Sequence, residues 1–216
     1  PKGGFAVTNF LVDKTSHDNL EWILADSRLT YKWPETRFVD SKVEEFLKLE
    51  ELLVDGESVT YALLGLVGLK PVQGGEMGLI VGTAFEEVTG HCFAEHDSIV
   101  SVVLNVKVDG QAVIAGKTVK REEDVIALTK RGNLIYASCK YKGRSHSAHL
   151  NRPQTITSSM QKEVSRVRSL VLPINFPKER IHRMVITTTP AVNLTGDSGD
   201  VIVTNLAGLS DSLKHL

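Results

Sequence analysis

The stretch EEVTGHCFAEH at residues 86–96 holds the side chains best suited to chemistry in this sequence: His91, Cys92, Glu95 and His96. Histidine, cysteine and carboxylate side chains are the usual ligands of a metal ion, and histidine is also the commonest general base. The same residue types occur in an ordinary protein core when their polar atoms are hydrogen-bonded. Three interpretations therefore stand at this point: a metal site, a catalytic element or part of the core.

A metal site in this stretch requires His91 and His96 to converge. Residues five apart point about 140° apart around a helix and lie on opposite faces of a strand. The segment HSAH at 146–149 can add histidines, but the sequence has no CxxC, HxH or HExxH unit, and such units are typical of zinc sites. We therefore expect no metal and no other cofactor.

Nucleophilic catalysis requires a histidine, a carboxylate that orients it, and a nucleophile on a tight turn. The segment TGDSG at 195–199 places glycines on both sides of an Asp-Ser pair. Ser198 can therefore sit on a sharp turn, with the N–H groups of Gly196 and Ser198 exposed as an oxyanion hole. His91 supplies the base. The candidate orienting carboxylates are Asp97, Asp109 and Asp124.

Three motifs occur in an order that resembles the chymotrypsin-like serine proteases. VTGHC at 88–92 is similar to their histidine motif, DVIALTK at 124–130 to their aspartate motif, and GDSG at 196–199 to their nucleophile motif. The resemblance covers residues 75–210 and favours Asp124 among the three aspartates. It implies a serine endopeptidase with a polypeptide substrate.

The resemblance also implies a role for each residue of a triad. Ser198 Oγ would attack a peptide carbonyl, His91 would take its proton and pass it to the leaving amine, and Asp124 would hold the imidazole. The substrate pocket would be lined by uncharged residues, so we expect an uncharged P1 residue. These pocket residues are Val192, Asn193, Ala207, Gly208, Leu209 and Ser210.

Some features depart from the secreted members of that family. GLIVGTAF at 78–85 has no cysteine to pair with Cys92, and few residues follow Ser198. A short second barrel without disulfides resembles that of the proteases in positive-strand RNA virus polyproteins. That resemblance implies processing of the protein's own precursor in the host cytoplasm. If the residues after Ser198 lie close to the active site, Leu216 can be the P1 residue of a site cleaved in cis; the alternative is that residue 216 has no such role.

The elements that would position these residues change in character near residue 72. Apolar residues at helical spacing in SHDNLEWILAD (16–26) and DSKVEEFLKLEELL (40–53) predict a helical N-terminal segment over residues 1–72. Beyond it, the resemblance implies a mainly β fold, a chymotrypsin-like double β-barrel, with the first barrel over 73–131 and the second over 132–216. Short runs of Val, Ile and Thr between turn residues predict strands at 78–85, 98–108, 112–119, 124–130, 133–142, 168–174, 183–189, 200–205 and 206–210. By themselves, these two groups of strands indicate two small barrels or a sandwich.

Composition limits the other classes of function. With 42% hydrophobic and 24% charged residues and a net charge of −1, the 216-residue chain is typical of a globular protein and indicates no nucleic-acid partner. The apolar stretch at 61–69 is too short to span a membrane. Two cysteines indicate a reducing compartment, or a piece of a larger protein.

One hypothesis from another class stays open. The chain can be a β-rich virion or interaction protein without enzymatic activity, in which GDSGD is only a hairpin turn and VTGHC the end of a strand. A fluorophosphonate probe separates the two, because it labels an activated serine and ignores a serine in a turn. A protease fold that has lost activity is disfavoured, because all three residue types of a triad are present.

Overall fold

The fold is organised around one open sheet of six strands, with helices on both of its faces. The structure, a computed structural model, describes residues 16–34, 38, 40–51, 56–69, 76–108, 112–114, 117–119, 122–141, 158–188 and 200–216. The helices are α1 (Ser16–Ile23), α2 (Asp40–Glu51), α3 (Gly56–Leu66), α4 (Glu76–Ala94), α5 (Ser158–Ser169) and α6 (Leu209–Lys214). The strands are β1 (Leu29–Lys32), β2 (Ile99–Val108), β3 (Ala112–Ile114), β4 (Lys117–Val119), β5 (Glu122–Thr129), β6 (Leu134–Lys140), β7 (Ile181–Thr187) and β8 (Val201–Thr204).

The main sheet is mixed, with strand order β1-β2-β5-β6-β7-β8. The pairs β1/β2, β2/β5 and β5/β6 are antiparallel, whereas β6/β7 and β7/β8 are parallel. Parallel neighbours need a crossover connection, and α5 lies in the connection between β6 and β7. The first residues of β5 and the last residues of β6 and β7 therefore meet at the same end of the sheet. Strands β3 and β4 form a separate two-stranded hairpin.

The hairpin of β5 and β6 forms the centre of the sheet. Its turn uses Gly132 at φ 75°, a conformation that glycine adopts without steric cost. The Thr129 N–H donates to the Asn133 carbonyl at 2.9 Å, and the Gly132 N–H donates to the Thr129 carbonyl at 2.9 Å. Both strands are buried along most of their length. This explains their nearly continuous apolar sequences, which are typical of strands covered on both faces.

Three hydrophobic clusters cover the two faces of this sheet. On one face, α2, α3, α4 and α6 pack against apolar residues of β5, β6 and β7. On the other face, α1 and residues 170–181 cover β2, β5 and β6, and α5 covers β7 and β8. Within the described residues, no helix is long and apolar enough to cross a membrane.

The predicted double β-barrel is wrong, because the strands form one open sheet with helices on both faces. The segment 78–85, predicted as a strand, lies inside the 19-residue helix α4. Its buried residues recur at helical spacing: Val81, Ala84, Phe85 and Val88. A short apolar run fits a buried strand or a buried helix equally well, and here the longer helical period decides.

Of the other predicted strands, some are wrong and some are confirmed. Segment 206–210 forms a turn and the start of α6, and segment 168–174 contains the end of α5, so both strand predictions are wrong. Segment 112–119 is a small hairpin and not one strand. Helices α1 and α2 and strands β2, β5, β6, β7 and β8 confirm the corresponding predictions to within a few residues.

Candidate functional site

His91, the predicted catalytic base, lies in the last turn of α4 and faces α2 and α6. It is buried, and its ring packs edge-to-face against Phe38 with centroids 5.1 Å apart. It lines a cavity of about 360 Å³ together with Val43 and Leu47 of α2 and Leu209 of α6. Its surroundings are thus two helices on one face of the sheet.

Cys92, Glu95 and His96 line the same cavity as His91. Helix α4 ends at Ala94, so His96 lies outside the helix. The angle of about 140° expected for two histidines on one helix therefore does not apply. The Ser98 N–H donates to His96 Nδ1 at 3.2 Å, so Nε2 carries the proton of the neutral ring and faces Ser210 Oγ at 3.2 Å. Within the described part of the chain, no group of three or more His, Cys, Asp or Glu side chains is arranged to hold a metal ion.

Asp124, the predicted orienting carboxylate, lies near the start of β5 and contacts β6. Its Oδ2 accepts the Cys139 N–H at 2.6 Å and contacts the Ser138 hydroxyl at 3.1 Å. The structure therefore places Asp124 against β6 and α5, and His91 against α2 and α6. Asp97 lies on an exposed turn after α4, and Asp109 lies outside the described residues.

The nucleophile and half of the predicted pocket also lie outside the described residues: Val192, Asn193, Gly196 and Ser198. The other half is described. Ala207 and Gly208 form a turn, in which the Gly208 N–H donates to Asn205 Oδ1 at 2.9 Å. Leu209 and Ser210 begin α6. Helix α6 begins at Leu209, where a closing strand was predicted, so the geometry does not support the predicted wall of the pocket. The serine mechanism stays a prediction, because Ser198 lies outside the described residues.

A different cluster of ionisable side chains lies at the end of the sheet where β5 begins and β6 ends. We call it the carboxylate cluster. It is drawn from two helices and two strands, and its members are Glu86 of α4, Glu123 and Asp124 of β5, Lys140 of β6, and Glu163 and Arg166 of α5.

Direct contacts hold the α5 side of this cluster together. Glu163 Oε1 accepts Arg166 Nε at 2.7 Å and the Ser138 hydroxyl at 2.6 Å, and Glu163 Oε2 lies 3.4 Å from Lys140 Nζ. Arg166 also donates to Ser138 Oγ at 3.0 Å and to the Glu122 carbonyl at 2.8 Å. The arginine therefore fixes α5 to the ends of β5 and β6.

Burial controls the acidity of the carboxyl groups. Burial raises the pKa of Glu86, the negative charges of Asp124 and Glu122 add to this effect, Lys140 and Lys32 oppose it, and the resulting pKa is about 7. Burial likewise raises the pKa of Glu123 to about 8 and that of Asp124 above its usual value. Glu163 differs: burial raises its pKa, but the Ser138 hydrogen bond and the Arg166 and Lys140 charges outweigh this and lower it.

Carboxyl groups outnumber cationic side chains among the members of this cluster. Its four carboxyl groups lie near Lys140 and Arg166, and Lys32 and Glu122 also act on Glu86. Glu123 is fully buried and neither of its oxygens has a hydrogen-bond partner among the described residues. Burying unpaired negative charge is costly unless protons or cations neutralise it. The raised pKa values of Glu86 and Glu123 show that protons neutralise part of this charge near neutral pH, and a bound cation would favour the loss of these protons.

The motifs of the sequence did not reveal this cluster, apart from Asp124. A signal was nevertheless present. EED at 122–124 opens the apolar run of β5, and Lys140 closes the apolar run of β6. In open α/β sheets, ligands bind beyond the carboxyl ends of strands, and Lys140 lies at the carboxyl end of β6. Glu86 and Glu163 had no such signal, because each lies within a helix of mixed composition.

Comparisons with known proteins do not assign this chain to a family. No family profile matches the sequence, and no curated protein matches it significantly. Among solved structures, protein VC1899 from Vibrio cholerae shares 16% identity with a TM-score of 0.40, over 81% of this chain and 50% of that one. Can2 from Sulfobacillus thermosulfidooxidans, solved with cyclic tetra-adenylate, shares 13% identity with a TM-score of 0.47, over 91% of this chain and 60% of that one. The chain thus spans half to three fifths of these structures, and likeness at this level carries no argument about function.

Proposed function

We propose that this protein is a divalent-cation-dependent hydrolase that cleaves phosphodiester bonds of nucleic acid. The observation that carries the proposal is the carboxylate cluster, where four carboxyl groups from α4, β5 and α5 surround Lys140 and Arg166 at one end of the sheet. Mg²⁺ prefers oxygen ligands and binds through one or two carboxylates completed by waters and substrate phosphate oxygens.

Three residues take roles in the reaction. Asp124 would hold the cation, which would offset phosphate charge, and Lys140 would offer a positive charge to the same phosphate. Glu86 has a pKa of about 7, a suitable value for a general base at neutral pH. It accepts a proton from a water whose oxygen bonds to phosphorus. The ester P–O bond then breaks, and the departing oxygen takes a proton from solvent.

The sequence next to Lys140 supports a polyanionic substrate. Residues 142–153 contain one lysine, two arginines and two histidines and no acidic residue. A net charge of −1 for the whole chain conceals this local excess of positive charge. Basic segments attract phosphate backbones irrespective of base sequence. The proposal therefore replaces the expectation from overall charge that nucleic acid is not a partner.

Cleavage of fluorescently labelled single-stranded DNA and RNA tests the proposal. With Mg²⁺ or Mn²⁺ we expect cleavage that EDTA abolishes. Asp124→Asn, Lys140→Met and Glu86→Gln should each lower the rate by about 10²-fold or more. The rate should rise with pH and level off above about pH 7, as Glu86 loses its proton. An EDTA-resistant rate, or a rate unchanged in Asp124→Asn, contradicts the proposal.

Ser198→Ala is the matched control, because it removes the predicted peptidase nucleophile and leaves the carboxylate cluster unchanged. We expect this variant to cleave nucleic acid at the wild-type rate. Labelling of the wild type by a fluorophosphonate, lost in Ser198→Ala, would instead support the serine endopeptidase hypothesis. Circular dichroism of every variant shows whether a lost rate reflects a lost fold.

A further inference from the structure

Glu163 of α5 holds its carboxylate in a fixed position at the end of the sheet. Its Oε1 accepts Arg166 Nε at 2.7 Å and the Ser138 hydroxyl at 2.6 Å. Arg166 is itself tied to the sheet, because it donates to Ser138 Oγ at 3.0 Å and to the Glu122 carbonyl at 2.8 Å. The Glu163 side chain is only 11% exposed. With Oε1 bound from two sides in a buried place, the second oxygen, Oε2, has little freedom to move.

This second oxygen faces the ammonium group of Lys140. Glu163 Oε2 lies 3.4 Å from Lys140 Nζ and so connects α5 with the last residue of β6. The lysine side chain is 36% exposed, so it reaches solvent. Lysine carries its charge on a flexible four-carbon stem, and an exposed lysine has no fixed place for that charge unless a partner holds it. Glu163 is such a partner.

The charge that Glu163 holds lies within reach of the other carboxyl groups of the carboxylate cluster. The positive charge of Lys140 acts on Glu86 of α4 and on Glu123 and Asp124 of β5. The proposed function places the substrate phosphate beside these same groups. A lysine that turned away from this end of the sheet would therefore leave the phosphate without a positive charge from the protein chain at that point.

The ion pair orients Lys140 and does not block it. An ammonium group has three N–H donors, and a contact with a single carboxylate oxygen leaves others for a second partner. The exposed part of the Lys140 side chain is where a phosphate oxygen can approach them. Lys140 can thus bind Glu163 and a phosphate at the same time.

We propose that Glu163 is a positioning residue, which holds Lys140 in the orientation in which its ammonium group meets the substrate phosphate. This inference rests on the proposed function and explains how the positive charge of the same site is oriented. Glu163 acts through Lys140 and touches no substrate atom. A charge that is in place before the reaction needs no reorganisation while charge develops on the phosphate, and such preorganisation accelerates the chemical step.

This role predicts that loss of the Glu163 charge slows the chemical step without weakening the binding of nucleic acid. A freely turning lysine still attracts the phosphate backbone, and the loss of one negative charge reduces repulsion between the protein and a polyanion. A purely structural role, in which Glu163 only fixes α5, predicts a different result. Binding and rate would then fall together, and they would do so whether or not Lys140 is present.

A double-mutant cycle with the full chain, Mg²⁺ and fluorescently labelled single-stranded DNA or RNA tests the inference. Single-turnover rates at saturating enzyme measure the chemical step, and fluorescence anisotropy in EDTA measures affinity. Glu163→Gln should lower the rate about tenfold or more and leave the affinity equal or tighter. Glu163→Asp, which keeps the charge but shortens the side chain, should lower the rate less.

The second half of the cycle removes the residue that Glu163 is proposed to orient. In Lys140→Met, the further change Glu163→Gln should alter the rate by less than about twofold, because no lysine is left to orient. The control Glu179→Gln, exposed in the 3-10 helix Lys178–Arg180, should match the wild type in rate and affinity.

The outcomes separate this inference from the proposed function. Suppose that the wild type cleaves nucleic acid and Lys140→Met is slow, but Glu163→Gln lowers the rate equally with and without Lys140: the inference then fails and the proposed function stands. A wild-type rate or a weakened affinity in Glu163→Gln leads to the same conclusion. A wild type that cleaves neither DNA nor RNA overturns both. If thermal melting shows that Glu163→Gln does not fold, Glu163→Asp takes its place in the cycle, and its smaller loss of rate must likewise vanish in Lys140→Met.

Discussion

Glu123 is a carboxyl group whose position in the fold sets its charge. Two effects on its pKa oppose each other: burial raises the pKa, whereas Arg166, with Nη2 3.6 Å from Oε1, lowers it. Burial prevails and the pKa is about 8, because neither carboxyl oxygen has a hydrogen-bond partner in the described part of the chain. At neutral pH Glu123 is therefore mostly protonated in the absence of a cation.

This raised pKa predicts that the free energy of unfolding falls as pH rises. The folded state holds the Glu123 proton up to about pH 8, whereas the unfolded chain releases it near 4.5. The stabilisation is complete below about 4.5 and is lost as pH rises to about 8. Melting temperatures at pH 5, 7 and 9 should show this fall, and Glu123→Gln should reduce it, leaving the contribution of Glu86 up to about 7. Identical pH profiles for the two proteins would contradict the prediction.

At the scale of elements, α4 packs closely against β2. A Cβ atom on Gly90 would lie 2.5 Å from Cδ2 of Leu104 and 3.2 Å from its Cγ. Leu104 is fully buried, so it has little room to move. The absence of a side chain at residue 90 thus allows α4 to approach the sheet and to bring Glu86 beside Asp124.

Gly90→Ala should therefore destabilise the protein, by about 1–3 kcal/mol, because it overpacks a filled core. Gly82→Ala is a control within the same helix, since nothing lies within 4 Å of a Cβ placed there. There the better helix propensity of alanine should stabilise the protein by about 0.5–1 kcal/mol. Urea unfolding measures both changes. Equal effects of the two substitutions would show that close packing at Gly90 is not important.

At the scale of the whole molecule, α6 closes one face of the core. Leu209, Leu213 and Leu216 are buried in the same cluster as residues of α2, α3 and α4. The Asn133 side chain donates to the Leu216 carbonyl at 2.5 Å and Arg131 to the Lys214 carbonyl at 3.5 Å. The turn between β5 and β6 thereby holds the last residues of the chain against the sheet.

Leu213→Ala should lower the free energy of unfolding by about 2–5 kcal/mol, the usual cost of removing a buried leucine side chain. The control Lys214→Ala changes an exposed neighbour whose ammonium pairs with exposed Asp211, and we expect a change of about 0.5 kcal/mol or less. Thermal and urea unfolding measure both. A small loss in Leu213→Ala would mean that α6 contributes little to the core.

The sequence by itself determined the local elements. The periodic apolar residues of α1 and α2, the apolar runs of β2, β5, β6, β7 and β8, and the glycine turn between β5 and β6 were all predictable, because local spacing and turn chemistry specify them. The sequence did not decide between strand and helix for 78–85, where an apolar run fits both. It also suggested a peptidase from three short motifs, and their residues lie in different surroundings or outside the described part of the chain.

Only the tertiary structure decided the sheet order and the carboxylate cluster. One open sheet replaced two barrels because α4 and α5 pack against opposite faces, and strand pairing across such distances is set by burial of whole faces. Glu86, Asp124, Lys140 and Glu163 come from four elements and form no linear motif. They meet because β5 begins where β6 ends, and because α4 and α5 cross that same end of the sheet. Convergence of this kind depends on long-range packing, which no local pattern of residues records.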